Sequence, residues 1–302
     1  MVTHTRQTLH LAAICLLTLM VFWPATRAAV RLSLSDQRYA HTIFAPFVCA
    51  LSIYWNRKEL LKDTRYSLLA GVPLLSLSVL LGLIVMREWS PRDEAARLFP
   101  ITLTIIFAWI SAYVLCYGVG ALKRAIYPLA CLLLALPPPS ALMDRIITSC
   151  QNASANLTYA ILESFRVPVV RVGMNFFIPG LRFEVAPECS GIHSALAFLV
   201  ASILAAYLFL RPAWARSILI LSAIPLAIFK NAVRIAVIAL LGAYVDRRFI
   251  DGPFHHVYGG VIFAPLEFVL FVLLIVILRK MDRPFWRAGS VPQTEPEPAD
   301  AK

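Results

Sequence analysis

The sequence predicts an all-α polytopic membrane protein of about eight transmembrane helices, with a short outer-side β-hairpin and an amphipathic helix between two of the spans. Three observations predict this. Of 302 residues, 60% are hydrophobic and 15% charged, a balance typical of membrane-embedded chains. Several apolar runs reach the roughly 20 helical residues that cross a bilayer core. Basic residues collect in alternate loops between those runs.

Taken in order, the spans are predicted at 9–23, 42–55, 66–86, 98–120, 125–136, 190–210, 217–243 and 259–278. The first resembles a signal peptide in position. However, Trp23-Pro24 and the arginines that follow make a poor cleavage site, so it reads as a retained helix. The second and fifth are short, and Pro137-Pro138-Pro139 ends the fifth because three prolines cannot continue a helix. Residues 140–164 suit an amphipathic helix along the membrane surface: Leu142, Ile146, Leu157 and Ile161 are apolar, and Asp144, Arg145, Gln151 and Asn152 are polar. From Val167 to Val185, β-branched and aromatic residues alternate around Ile178-Pro179-Gly180, the pattern of a hairpin. Its exposed edge is suited to pairing with an extended peptide. Residues 1–288 read as a single transmembrane domain. The tail 289–302, with Pro292, Pro296 and Pro298 among acids, reads as disordered.

With the N-terminus inside, the inner loops hold Arg57, Lys58, Lys62, Arg65, Lys123, Arg124, Arg211 and Arg216, and the tail adds Arg279, Lys280, Arg283, Arg287 and Lys302. The net charge of +11 therefore reflects topology and contact with anionic lipid, and nucleic acid is not an expected partner. An even number of spans places both termini in the cytoplasm, and residues 137–189 and 244–256 on the outer side.

Chemistry-bearing residues stand at the outer ends of three spans. In Glu188-Cys189-Ser190-Gly191-Ile192-His193 the cysteine precedes a helix, whose N-terminal amides lower a thiol pKa. Gly191 permits close backbone approach, and His193 follows Cys189 by one helical turn. Lys230, Asn231 and Arg234 lie inside the seventh span, where a charge is costly and marks pairing or function. Glu267 lies at about the depth of Lys230, so those two are expected to pair, leaving Arg234 to bind a carboxylate or a developing oxyanion. His255 and His256 precede Val257-Tyr258-Gly259-Gly260 at the mouth of the eighth span, where imidazole suits a base for a thiol. Metal binding by His193, His255 and His256 has no convergent carboxylate or cysteine spacing behind it, and no cofactor motif is present. Cys15, Cys49, Cys116 and Cys131 lie in apolar spans as small hydrophobes.

These residues resemble the exosortase/archaeosortase family of membrane cysteine transpeptidases. The likeness rests on Glu188-Cys189-Ser190-Gly191-Ile192, on Asn231-Ala232-Val233-Arg234-Ile235 and on His255 four residues before Gly259, and it covers about residues 40–280. It implies an exosortase-like domain in a bacterial inner membrane with its active site on the periplasmic side. Cys189 would be the nucleophile, Arg234 the cationic partner and His255 the acid/base, with Glu188, Ser190, Gly191, His193, Lys230, Asn231, His256 and Gly259 in support. The implied substrates are exported proteins ending in a short motif, a transmembrane helix and a basic tail, with a link to exopolysaccharide or surface attachment and an acceptor nucleophile that the sequence leaves open.

Three other readings compete. In a transporter or channel, Lys230 and Arg234 line an anion path. In an intramembrane serine protease, Ser190 or Ser194 works with His255, although the Gly-x-Ser-x-Gly context is missing. In a structural protein, Cys150 and Cys189 form a disulfide.

Overall fold

The computed structural model describes residues 2–62, 64–88, 92–186, 191–251 and 259–288. Twelve helices account for most of them. Helix α1 (Val2–Val21) runs into α2 (Trp23–Ser35), which Pro24 starts and which turns away at 87°. Then come α3 (His41–Trp55), the single turn α4 (Arg57–Leu60), α5 (Leu68–Glu88) and α6 (Glu94–Arg124). The short α7 (Ile126–Ala130) and a 3-10 turn over Cys131–Ala135 lead to the three prolines, and α8 (Ser140–Ser164) leaves at 103°. After the sheet come α9 (Ile192–Phe209), α10 (Ala213–Tyr244), the single turn α11 (Arg248–Asp251) and α12 (Gly259–Ala288).

Eight spans are not what the structure supports. Among the described residues, α5, α6, α10 and the stretch Ile262–Met281 of α12 are long and apolar enough to cross a membrane, and the count reaches six if each bent pair is one span. The expected second span, α3, has 15 residues, about 22 Å of helix, too short for a bilayer core of about 30 Å. The expected fifth is broken between α7 and the 3-10 turn, and the apolar run in α9, Ser194–Phe209, is likewise short. The surface confirms a membrane protein all the same. Leu69 is 96% exposed, and Phe47, Leu34 and Leu221 also stand outward, an arrangement suited to lipid rather than water.

Interior packing relies on small and polar groups, as expected where lipid supplies no hydrophobic drive between helices. Gly71 and Gly82 on α5 face Leu115 and Phe22 with no room for a Cβ. Trp109 donates to Thr18 at 2.8 Å, joining α6 to α1. Asp93 caps α6 by accepting from Ala95 N–H, and its other oxygen accepts from Ser140 N–H and Oγ, both at 2.8 Å. One carboxylate therefore fastens the heads of α6 and α8 together.

Helix α8 is more closely packed into the protein than a helix lying along the membrane surface. Leu142 and Ile146 are exposed, whereas Met143, Cys150, Gln151, Ser154, Ala155, Thr158 and Leu162 form the buried stripe against the rest of the protein. The helix is not merely laid on a surface: Thr158 Oγ1 reaches the Ala232 carbonyl of α10 at 3.3 Å. It ends at Arg166, which adopts φ 57, with Arg166 N–H donating to Glu163 O and Val167 N–H to Leu162 O. Those two bonds reverse the chain into the sheet.

The expected hairpin is a three-stranded antiparallel meander, β1 (Val170–Val172), β2 (Asn175–Ile178) and β3 (Leu181–Glu184), in the order β1-β2-β3. Pro179-Gly180 makes the anticipated turn, with Ile178 opposite Leu181, and Gly173-Met174 makes an additional one, with Val172 opposite Asn175. Phe176 is fully buried with Val185, Ala155, Leu162, Ile235 and Ala236, so the sheet is clamped between α8 and α10.

Candidate functional site

The site is best read from α10, which packs against α8, α9 and α12. Lys230 and Asn231 on it are buried, and Arg234, one turn further on, is half-buried. The expected ion pair is present: Lys230 Nζ lies 3.2 Å from Glu267 Oε2 on α12, and both side chains are almost fully enclosed. Lys230 also donates to Ser194 Oγ at 2.8 Å, and Ser194 donates in turn to the Gly191 carbonyl at 2.9 Å.

Gly191 has φ 73, the left-handed conformation that turns the chain into α9. The side chain of Asn231 packs over its open face. A Cβ added at Gly191 would lie 3.2 Å from both Asn231 Cβ and Cγ. Two adjacent α10 residues thus hold this turn, Asn231 by contact and Lys230 through Ser194.

The other side of the cysteine segment is held as well. Val185 N–H donates to Met174 O, and the Val185 carbonyl accepts from the buried Gln151 amide of α8. Val185 shares a core cluster with Ile235 and Ala236 of α10. Val185, in one cluster with Ile235, and Gly191, beside Asn231, are therefore both held against α10. Arg234 lies between those two anchors along α10.

Of the residues expected to act, Glu188, Cys189, Ser190, His255 and His256 lie outside the described residues, as does the side chain of His193. The structure brings together Gly191, Lys230, Asn231 and Arg234, and places Gly259 at the start of α12. Gln151, Ser194 and Glu267 join them. Gln151 reads in the sequence only as part of a polar face, and a glutamine at an inward i, i+3, i+4 position with Met143, Ser154 and Thr158 was the available signal.

Cys150 is a free, buried thiol packed with Tyr39, Ala95, Met143 and Ile192, which gives a disulfide reading no support. Among the described residues, no group of three histidines, cysteines or carboxylates could hold a metal. The proposed His193, His255 and His256 set lies outside them.

A family model for the transmembrane exosortases matches residues 33–275. The chain belongs to the transmembrane exosortase family, a class of membrane proteins that its apolar helices fit. Neither a curated protein nor a solved structure matches it.

Proposed function

We propose that the protein is a membrane cysteine peptidase or transpeptidase that cleaves a C-terminal sorting signal of exported proteins. The observation that carries this reading is that Val185 and Gly191, which flank the cysteine motif in sequence, are both held against α10, with Arg234 between their partners Ile235 and Asn231. Cys189 is two residues from Gly191, so its Cα lies within about 7 Å of that of Gly191 by covalent reach alone.

In this reading the Cys189 thiolate attacks the scissile carbonyl, forming a C–S bond and a tetrahedral oxyanion. Arg234, with planar forked donors, stabilises that charge or holds a substrate carboxylate. The C–N bond then breaks, His255 gives its proton to the leaving amine, and a thioester remains on Cys189. His255 next takes a proton from the acceptor, which attacks the thioester and releases the thiolate. Water as acceptor makes the enzyme a protease, and an amine makes it a transpeptidase. The substrate's transmembrane helix would reach this site from the lipid of a bacterial inner membrane, with the scissile motif on the outer, periplasmic side.

The competing readings have less behind them. Lys230 is enclosed and paired with Glu267, which suits a structural tie better than an anion path. Among the described residues, Ser194 gives its proton to Gly191 O and accepts from an ammonium group, contacts that suit a structural hydroxyl better than a nucleophile.

The test is Cys189→Ala. The variant should insert into the membrane at wild-type abundance while proteins ending in a motif, an apolar span and a basic tail accumulate uncleaved. Normal processing of those proteins by the variant would sink the mechanism.

A further inference from the structure

Three helices each contribute one polar group to a buried chain, and the chemistry proposed for the site leaves that chain without a task. Ser194 stands in the first turn of α9, Lys230 midway along α10 and Glu267 on α12. The contacts run from Glu267 Oε2 to Lys230 Nζ at 3.2 Å, on to Ser194 Oγ at 2.8 Å, and end at the Gly191 carbonyl at 2.9 Å. The Lys230 and Glu267 side chains are 5% and 1% exposed.

Stability alone does not account for this arrangement. Enclosing two opposite charges costs about as much desolvation as their attraction returns, and apolar residues of equal size often serve a fold as well. Among the described residues Glu267 Oε1 also has no hydrogen-bond partner, so the pair is incompletely satisfied there. Its geometric effect is specific, however. It fixes the carbonyl of Gly191, the left-handed residue at which the chain enters α9.

Register is the property such a chain controls. Apolar helix faces slide past one another in lipid at little cost, because lipid tails are as apolar as the side chains, and polar contacts between helices select one alignment. The helices joined here are those whose segments carry the three candidate catalytic residues. Cys189 is two residues before Gly191, Arg234 is one turn beyond Lys230, and His255 is four residues before the first residue of α12.

We infer that Lys230, acting through Ser194 and held by Glu267, is a positioning residue that locks the Gly191 turn and registers α9, α10 and α12 in one frame. The inference rests on Cys189 being the nucleophile.

The experiment follows the rate at which Cys189 of the full-length protein in detergent takes up iodoacetamide over a pH series, read by mass spectrometry of its peptide, with thermal unfolding measured in parallel. Ser194→Ala should slow the reaction about tenfold, as loss of a hydrogen bond to a charged group implies, and move its pH profile toward an ordinary thiol near 8.5. Its unfolding should stay cooperative, with a midpoint lowered by only a few degrees because Lys230 keeps Glu267 as a partner. Ser194→Thr, which keeps the hydroxyl, should react like wild type, and Lys230→Arg, which keeps the charge but displaces the donor from Ser194, should slow like Ser194→Ala. A Ser194→Ala protein with wild-type rate and profile overturns the inference, as does one that fails to fold or a threonine variant as slow as alanine. If wild-type Cys189 itself titrates as an ordinary thiol, the nucleophile reading fails and the inference falls with it.

Discussion

Replacing Gly191 by alanine applies two separable strains to the turn that leads into α9. The first is conformational: Gly191 has φ 73, where an L-residue costs roughly 1–2 kcal/mol. The second is steric. The new methyl would stand 3.2 Å from Asn231 Cβ and Cγ, and Asn231 is fully buried with no space to withdraw into. Overpacking of that kind costs roughly 1–3 kcal/mol. The sum, roughly 2–5 kcal/mol, lowers the population of the native turn between about 30-fold and several thousandfold at 1.4 kcal/mol per decade. Gly180 supplies a matched control. Its φ is 78, but a Cβ there meets nothing within 4 Å, so Gly180→Ala carries the conformational cost alone. Both variants should be purified in mild detergent and compared by thermal unfolding and by Cys189 alkylation. Gly191→Ala should lose more stability than Gly180→Ala by roughly 1–3 kcal/mol, and only it should change the cysteine. Shortening Asn231 to alanine in the Gly191→Ala background should recover the share of the steric cost due to Cγ, while the contact with Cβ remains. Equal losses at the two glycines, or no recovery in the double variant, would refute the tight contact between the turn and α10.

Lys230→Met should destabilise the protein by about 3–5 kcal/mol, because it leaves the Glu267 carboxylate buried and unpaired, and adding Glu267→Leu should recover most of the loss. Expression and unfolding of the single and double variants decide this, and no recovery removes the pair from the account. Asp93 gives a pH dependence. Burial pushes its carboxyl up, but hydrogen bonds from Ser140 and the first N–H groups of α6 outweigh that and hold it below the ordinary carboxylate range. A carboxylate depressed in the folded state stabilises above its unfolded pKa, near 3.9, and that contribution is lost as pH falls through the folded value. Asp93→Ala should therefore cost about 1 kcal/mol at neutral pH, with the gap to wild type closing below about pH 4. A gap that persists unchanged to about pH 2 contradicts the assignment.

Much of the candidate site was legible because helical rise is uniform. Counting residues placed Glu267 at the depth of Lys230, and the two meet. The one-turn spacing of Lys230 and Arg234 was equally readable. What the sequence did not reveal was the packing of the polar face of α8 into the protein. In water the apolar stripe of α8 would be its buried face. Here Leu142 and Ile146 are exposed, and the inward stripe mixes Met143 and Cys150 with Gln151, Ser154 and Thr158. The usual amphipathic reading inverts when the surrounding medium is apolar. Residues 170–172 fell within the expected hairpin, but the turn that makes them a separate strand was not legible because Gly173-Met174 lacks the Pro-Gly signal of the next turn. Span counting failed at α3 and α7, where an apolar composition does not report a helix too short or too broken to cross.

The polar residues of α10 divide into two roles by what surrounds them. Lys230 and Asn231 have their work inside the protein, one completing a buried ionic chain and the other filling the open side of a left-handed glycine. Arg234 is half-buried and lies between the anchors of the cysteine segment. A cation that only neutralised a buried carboxylate would belong at the depth of Glu267, where Lys230 already stands. One turn further along, the guanidinium lies between the positions on α10 that hold Val185 and Gly191. On the mechanism we propose, that difference of about 6 Å separates a structural charge from a chemical one. It also explains why the two cations are of different types: a compact ammonium suits a single oxygen and a hydroxyl in a closed space, whereas a forked planar donor suits an oxyanion or carboxylate that comes and goes.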